Sequence, residues 1–222
     1  MRIDLQAVAK GRRAHVLPTT TVSYESGRVT LARAETEQRP SVLGLIAAGR
    51  MRPESGSVLI DGRTDAAAIR RRIALVDAPS VSDPAPDITV AGVTAEELMF
   101  AGIPSHPIAV ANWLNDLGLS DVARIPISNV DPRDRLHLLT ELAILRDGIE
   151  GLVLVSPDRH GGDPVEWWDL ARSLADRGFA VLVIAGDASA AALAANTMLA
   201  RMQGDEPDES VEHDVIAEGG LA

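Results

Sequence analysis

The spacing of apolar residues divides most of the chain into stretches of different structure. Residues 2–34 alternate apolar and polar positions in short runs with a turn predicted at 25–28, which is typical of strands in an antiparallel layer. From about residue 89 to 146, apolar residues recur at helical spacing. The stretch between them predicts a helix over 41–50, strands over 57–61 and 73–77, and a short helix over 66–72.

The last third of the chain predicts a parallel sheet. Residues 151–155 and 179–185 are apolar runs without alternation, which is typical of strands buried on both faces. A helix predicted over 164–177 separates them, and such a strand–helix–strand unit places its two strands parallel. Trp167 and Trp168 occupy adjacent positions of that helix, so we expect one of them to be partly exposed.

Composition narrows the function classes. A chain of 222 residues with 46% apolar content is long enough for one domain with a real core, predicted over residues 1–203. Residues 204–222 are rich in acidic residues and poor in core-formers, so we expect an acidic disordered tail. The lack of cysteine excludes disulfides, and a net charge of −11 argues against nucleic acid as a partner. No apolar run is long enough to predict a membrane span.

The stretch from Ser41 to Gly62 resembles a known family. An apolar helix leads to Pro53-Glu-Ser-Gly56 and then to a short strand that ends in Asp61-Gly62. This order and spacing are similar to the segment that follows the phosphate loop in ATP-binding cassette (ABC) ATPases. The resemblance extends over about residues 3–203 and includes Ile88–Leu98, Leu114–Leu119, the strand before Pro157 and the strand 180–185.

The resemblance implies a fold and a setting. The fold is α/β and P-loop NTPase-like: a mostly parallel sheet with an antiparallel β layer and a small helical subdomain at about 89–146. The setting is cytoplasmic, peripheral at the inner face of the cell membrane, with a membrane permease or a companion ABC ATPase subunit as partner. ABC ATPases receive a coupling helix of the membrane subunit near the stretch that matches residues 77–100. Met99, Phe100 and Trp113 fit that contact or, alternatively, a core.

The phosphate-loop position departs from the family pattern. Such a loop works because glycines let backbone N–H groups surround phosphates, while a lysine reaches the β- and γ-phosphates and Ser or Thr holds magnesium. In the same register this chain has Ala34, Glu35, Thr36, Glu37, Gln38, Arg39, Pro40 and Ser41. Both glycines are absent, Pro40 replaces the lysine, and the only lysine of the chain is Lys10. The same residues also fit an ordinary strand-to-helix turn.

The signature motif, which precedes a helix in ABC ATPases, departs in the same way. The matching residues are Asn129, Val130 and Asp131, without the two glycines of the family pattern. Asp131 is predicted to cap a helix whose first residue is Pro132.

Acidic residues near the magnesium-binding strand are displaced. Val155 and Ser156 stand where the family has an Asp-Glu pair before Pro157. Asp158 and Asp163 are candidate displaced acidic or metal ligands, although Asp163 also fits the N-cap of the next helix. Gly186 or Asp187 replaces the switch histidine, and Asp77 with Ala78 replaces the glutamine of the glutamine loop.

The loss of every hydrolytic motif on an intact scaffold predicts a pseudoenzyme: a catalytically degenerate ABC ATPase-like subunit with a structural or regulatory role. This interpretation assigns no catalytic residue, no metal site and no cofactor. Two alternatives stay open. One is an active transporter ATPase that binds ATP and Mg²⁺ through Arg39, Ser41 and Asp158 or Asp163, and the other is a free-standing interaction scaffold.

Overall fold

The computed structural model describes residues 1–35 and 39–203, so the predicted acidic tail at 204–222 lies outside the described residues. Seven strands and seven helices form two sheets and their covering layers within these ranges. In chain order they are β1 (Arg2–Lys10), β2 (Leu17–Glu25), β3 (Val29–Arg33), α1 (Arg39–Ala47), β4 (Ser55–Ile60), α2 (Ala66–Arg72), β5 (Ile73–Val76), α3 (Val90–Phe100), α4 (Pro107–Asp116), α5 (Pro132–Ala143), β6 (Gly151–Val155), α6 (Pro164–Asp176), β7 (Ala180–Ala185) and α7 (Asp187–Gln203). The helices and strands that were predicted with their own bounds agree with the structure within three residues, whereas α7 was not predicted.

The central sheet is parallel, with strand order β3-β7-β6-β5. All five residues of β6 and all six of β7 are buried, as expected for strands covered on both faces. One face packs against α1, α2 and the antiparallel layer, and the other against helices α3 to α7. The parallel arrangement brings the carboxyl ends of all four strands to one edge, which we call the carboxyl edge; the opposite one is the amino edge.

The second sheet is antiparallel, with order β2-β1-β4. β3 is not part of this layer, so the prediction that residues 2–34 belong to it is wrong for the last strand. After the turn, Gly27 N donates to Phe179 O at 3.1 Å and Val181 N donates to Arg28 O at 3.1 Å. These bonds begin a parallel pairing of β3 with β7. Apolar spacing alone does not tell which strand a segment will pair with.

Tyr24 joins the antiparallel layer to the first helix. Its side chain is fully buried, and its hydroxyl donates to the carbonyl of Ala47 at the end of α1 over 3.0 Å. Burial raises the pKa of Tyr24 above its ordinary value, so the phenol is neutral and remains a donor.

Helices α3 to α5 form the helical segment (residues 88–146). Side chains at each N-cap accept a backbone N–H: Thr89 from Gly92 at 3.2 Å, and Asp131 from Arg133 at 2.9 Å. Met99 and Phe100 at the end of α3 are 57% and 63% exposed, so the alternative that they belong to a core is wrong. Trp113 is half-buried.

Trp167 and Trp168 are both buried, with exposed fractions of 3% and 8%, which corrects the expectation that one of them is partly exposed. Adjacent helical positions point about 100° apart, and α6 is covered over a wider arc than that because it packs against the sheet, α5 and α7. The two rings meet edge to face with centroids 6.3 Å apart.

Candidate functional site

Each strand of the parallel sheet is followed by an acidic residue at the carboxyl edge. Glu35 follows β3, Asp77 follows β5, Asp158 follows β6 and Asp187 follows β7. In open α/β sheets this edge is where ligands bind. The chemistry of the edge is therefore set by how these four carboxylates are held.

Glu35 and Asp158 both lie at the N-terminus of α7. Oε1 of Glu35 accepts the backbone N–H of Asp187 at 2.7 Å, and Oδ2 of Asp158 accepts the backbone N–H of Gly186 at 2.9 Å. The same Asp158 oxygen accepts from the Ser189 hydroxyl at 3.0 Å. A helix N-terminus attracts negative charge because its first N–H groups have no partner within the helix. In this chain two of its own carboxylates satisfy these donors.

Gly186 leaves room for these carboxylates. A Cβ atom at this position would lie 2.8 Å from Oε1 of Glu35 and 3.3 Å from Oδ2 of Asp158. The first distance is too short for a carbon and an oxygen that are not bonded, so a side chain at this position would shift the carboxylate of Glu35 away from the N–H of Asp187.

The rest of the phosphate-loop position is described only in part. Ala34 N donates to the carbonyl of Ala185 at 3.0 Å, which continues the pairing of β3 with β7. Thr36, Glu37 and Gln38 lie outside the described residues. Arg39 begins α1, Pro40 is buried in its first turn, and Ser41 is half-buried. Pro40 has no backbone N–H to offer at this helix N-terminus.

Asp77 lies at the centre of a buried ionic cluster. Its carboxylate is 3% exposed and accepts two hydrogen bonds from Arg135, from Nη2 to Oδ1 at 2.6 Å and from Nε to Oδ2 at 3.2 Å. Nη2 of Arg159 donates to Oδ1 at 3.0 Å, and Nε2 of His160 lies 2.9 Å from Oδ2. The cluster therefore connects the end of β5, helix α5 and the turn after β6.

The charge state of Asp77 follows from this cluster. Burial by itself raises the pKa of a carboxyl group, but hydrogen bonds from His160 and Arg135 and the charges of Arg135 and Arg159 outweigh it, so the pKa of Asp77 lies below its ordinary value. Nε of Arg159 donates to Nε2 of His160 at 2.8 Å when that nitrogen is unprotonated. When Nε2 carries a proton it donates instead to Asp77, so this nitrogen makes one of the two bonds at a time.

The remaining candidate positions, Asp163 and residues 129–131, have structural roles at the starts of helices α6 and α5. Oδ1 of Asp163 accepts the N–H of Val165 at 2.9 Å, which confirms the predicted N-cap of α6. Asp131 caps α5 as predicted. Val130 is buried, and the Oδ1 of Asn129 accepts from the Ser128 hydroxyl at 3.2 Å.

The structure brings some predicted residues together and separates others. Glu35 and Asp158 meet at α7, whereas Asp163 is at the start of α6 and Asp131 at the start of α5. Within residues 1–35 and 39–203, no group of three or more His, Asp or Glu side chains has the arrangement of a metal site. No helix in the same ranges is long and apolar enough to cross a membrane.

Sequence reasoning missed the Asp77 cluster as a unit. One signal was available: Arg135 occupies the same helix face as Leu138, Leu139 and Leu142, which are all buried. A charged residue on an apolar face needs a buried partner. An aspartate directly after a buried strand was the candidate in this chain.

Comparisons with known proteins agree on the fold. No protein-family model matches the sequence, and no curated protein does. Three solved structures that the chain resembles are an ATP-binding subunit of an ABC transporter, CbiO1 from Clostridium perfringens and a nucleotide-free ATP-binding cassette from an ABC transporter. Their TM-scores are 0.57, 0.58 and 0.60 at 16%, 17% and 16% sequence identity. The chain has the fold of an ABC ATP-binding subunit.

The likeness spans most of each chain. The alignments cover 86%, 83% and 84% of this chain and 82%, 77% and 82% of the three structures, in the same order. The predicted fold class is therefore confirmed: an ABC ATPase-like α/β fold with a parallel sheet and an antiparallel layer. CbiO1 is described as part of the ABC transporter complex CbiONQ.

Proposed function

We propose that this protein is a catalytically degenerate ABC ATPase-like subunit, which acts in the cytoplasm as a structural or regulatory partner of a membrane permease or a companion ATPase. The observation that carries the proposal is the occupation of the α7 N-terminus by Glu35 and Asp158. Glu35 belongs to the phosphate-loop position, and Asp158 lies close to it because both carboxylates approach Gly186. Their negative charge repels a nucleotide phosphate at this place.

The residues at the carboxyl edge do not fit magnesium-bound ATP. Pro40 supplies neither the side-chain cation nor the backbone N–H that a phosphate loop uses at this position. Asp158 is engaged by Gly186 and Ser189, and Asp163 by the first turn of α6. We therefore derive no hydrolytic step for this chain.

A groove between the helical segment and the parallel sheet supports the proposal that the protein binds a partner. The cavity measures about 300 Å³ and is bounded by the end of β5, α3 and α5, with Arg50 and Arg146 among its lining residues. Val81, which lines it, is 49% exposed, and the nearby end of α3 exposes Met99 and Phe100. Large exposed side chains beside a groove suit a short helix with apolar residues, such as a cytoplasmic segment of a permease.

The nucleotide part of the proposal is tested by calorimetry with MgATP on the full chain. We expect no binding at millimolar concentration, no turnover, and a melting temperature that does not depend on MgATP. A micromolar dissociation constant, about −8 kcal/mol, would establish the active-ATPase alternative instead.

A rebuilt loop separates the loop residues from the rest of the scaffold. The variant replaces Ala34 and Arg39 with glycine, both glutamates with serine and Pro40 with lysine, and its matched control carries Pro40→Met in place of Pro40→Lys. We expect millimolar MgATP binding, about −4 kcal/mol, for the lysine variant only, because the new donors lie at the N-terminus of α1. A folded lysine variant that binds nothing would show that the register of the loop is wrong.

The partner is tested by co-purification from a membrane fraction. We expect the paired substitutions Met99→Ser and Phe100→Ser to reduce recovery of a membrane protein at least tenfold without changing the melting temperature, since exposed residues contribute little to folding. Met198→Ser is the matched control, because Met198 is 70% exposed on α7.

Asp87→Arg tests the predicted 77–100 stretch more cleanly than Asp83→Arg, since Asp83 lies 3.5 Å from Arg159. If no membrane protein or ATPase is recovered with the unaltered chain, the free-standing scaffold is the better account.

A further inference from the structure

A basic pocket lies on the far side of α1 from the phosphate-loop position. It has a volume of about 840 Å³ and is enclosed by the end of β1, the segment after α1, β4 and α2. This volume lies within the usual range of ligand sites. Its charged lining residues are Lys10, Arg50, Arg52, Glu54 and Arg70, so four cations meet one carboxylate in a chain whose net charge is −11.

The three arginines of this basic pocket have no carboxylate partner among the described residues. Arg50 donates from Nη1 to the carbonyls of Ala48 and Ile73, each at 3.0 Å, and Nη1 of Arg70 donates to the carbonyl of Gly49 at 2.9 Å. The side chain of Arg52 is exposed and forms no ion pair with a carboxylate of the described residues. Only Lys10 is close to an acid, with Nζ 3.6 Å from Glu54.

This arrangement concentrates positive charge around Arg50. Partial burial lowers the pKa of Arg50, and the nearby charges of Arg146 and Arg70 lower it further. Elsewhere the chain pairs its buried arginine, as Arg135 with Asp77. Guanidinium groups that have no carboxylate partner in a pocket attract carboxylates or phosphates. They bind such groups through two parallel hydrogen bonds.

We propose that the basic pocket binds a carboxylate-rich peptide, and that residues 204–222 of the same chain supply it. Seven of these 19 residues are Asp or Glu, and none is Lys or Arg. An extended segment of this length reaches about 60 Å, whereas a domain of this size is about 45 Å across. The tail is therefore long enough to reach the pocket from any point on the surface.

Covalent attachment favours this occupant. A tethered segment has an effective concentration of about a millimolar, so even weak contacts keep the pocket filled. The acidic residues begin at Asp205 and continue to Glu218, which matches a pocket whose cations are spread over β1, α2 and the segment after α1 rather than gathered at one point. A free polyanion, such as inorganic pyrophosphate, is the other source of the same chemistry.

The test uses a labelled synthetic peptide of residues 204–222 and a full-length chain whose own tail is neutralised by D205N, E206Q, D208N, E209Q, E212Q, D214N and E218Q. We expect fluorescence anisotropy to show peptide binding to this chain, weakened at least tenfold in the unaltered chain, because its own tail occupies the pocket. Adding R52Q and R70Q to the neutralised chain should remove binding at least tenfold. R52E alone is the second pocket variant, since Arg52 makes no contact that folding needs.

The matched control carries R124Q and R133Q, two exposed arginines of the helical segment, and should bind the peptide as the neutralised chain does. Binding should also weaken as salt is raised. Equal loss in the control, or equal peptide affinity for the unaltered and neutralised chains, would overturn the proposal. So would pyrophosphate binding that depends on Arg52 and Arg70 without any peptide binding, because the free anion would then be the occupant.

Discussion

The two edges of the parallel sheet carry opposite charge, and they handle it differently. At the carboxyl edge, Asp77 is neutralised by Arg135 and Arg159, while Asp158 is satisfied by backbone and hydroxyl donors. At the amino edge, Arg72 pairs with Glu150 and Asp61. Arg50 and Arg70, however, donate only to backbone carbonyls and have no carboxylate partner among the described residues. The first edge is closed by the chain's own residues, and the second leaves charge available to another group.

This difference inverts what the fold leads one to expect. Sheets of this kind bind ligands at the carboxyl edge, where helix N-termini attract anions. In this chain that edge supplies anions instead of receiving them. We therefore expect a negatively charged group to be recognised at the basic pocket of the amino edge rather than at the carboxyl edge.

The largest effect should follow from opening the Asp77 cluster. Asp77→Ala leaves Arg135 buried without its carboxylate, and removing one partner of a buried ion pair costs about 3–5 kcal/mol. Urea unfolding measures this loss. Asp87→Ala is the control, because Asp87 is exposed, and a difference below about 1 kcal/mol between the two variants would show that the cluster does not stabilise the fold.

The combined variant Asp77→Leu with Arg135→Met sharpens this result. It removes both charges, so we expect it to be more stable than Asp77→Ala, since no charge is left buried without a partner. If the double variant is the less stable of the two, the ion pair itself holds the strand end, α5 and the turn after β6 together.

A smaller effect is expected at the amino edge. Arg50→Met removes two hydrogen bonds to carbonyls but also relieves repulsion from Arg70 and Arg146, so we expect a net loss of about 1–2 kcal/mol. Arg71→Met, an exposed neighbour, should stay within about 0.5 kcal/mol of the unaltered chain. A loss for Arg50→Met as large as that for Asp77→Ala would erase the contrast between the edges.

The sequence predicted the scaffold better than either edge. The apolar runs of β6 and β7, the caps at Asp131 and Asp163 and the parallel sheet follow from local rules, and the structure confirms them. The Asp77 cluster joins residues that are 58 and 82 positions apart, so its geometry depends on the assembled fold. The pairing of β3 with β7 was missed for the same reason.

Removing a carboxylate from the α7 N-terminus should have an effect of about 1 kcal/mol. Asp158→Ala leaves the N–H of Gly186 and the hydroxyl of Ser189 without their acceptor. Asp158→Asn keeps one carbonyl oxygen and should cost about half as much. Hydrogen exchange at Gly186 and Asp187 locates the change, and unaltered protection there in both variants would show that Asp158 does not hold this helix end.

The smallest effect appears only in acid. The pKa of Asp77 is below its ordinary value of 3.8 in the folded protein, so its stabilising effect is fully present above that pH and is lost as the pH falls through the lower, folded value. One carboxyl group contributes a slope of at most about 1.4 kcal/mol per pH unit. Unfolding free energies from pH 5 downwards should therefore fall more steeply for the unaltered chain than for Asp77→Asn.

Glu150 also has a lowered pKa, through its bonds with Arg72, but it is present in both proteins and cancels in the comparison. If the unfolding free energies of the two proteins fall equally with pH, the partners of Asp77 do not stabilise its charged form.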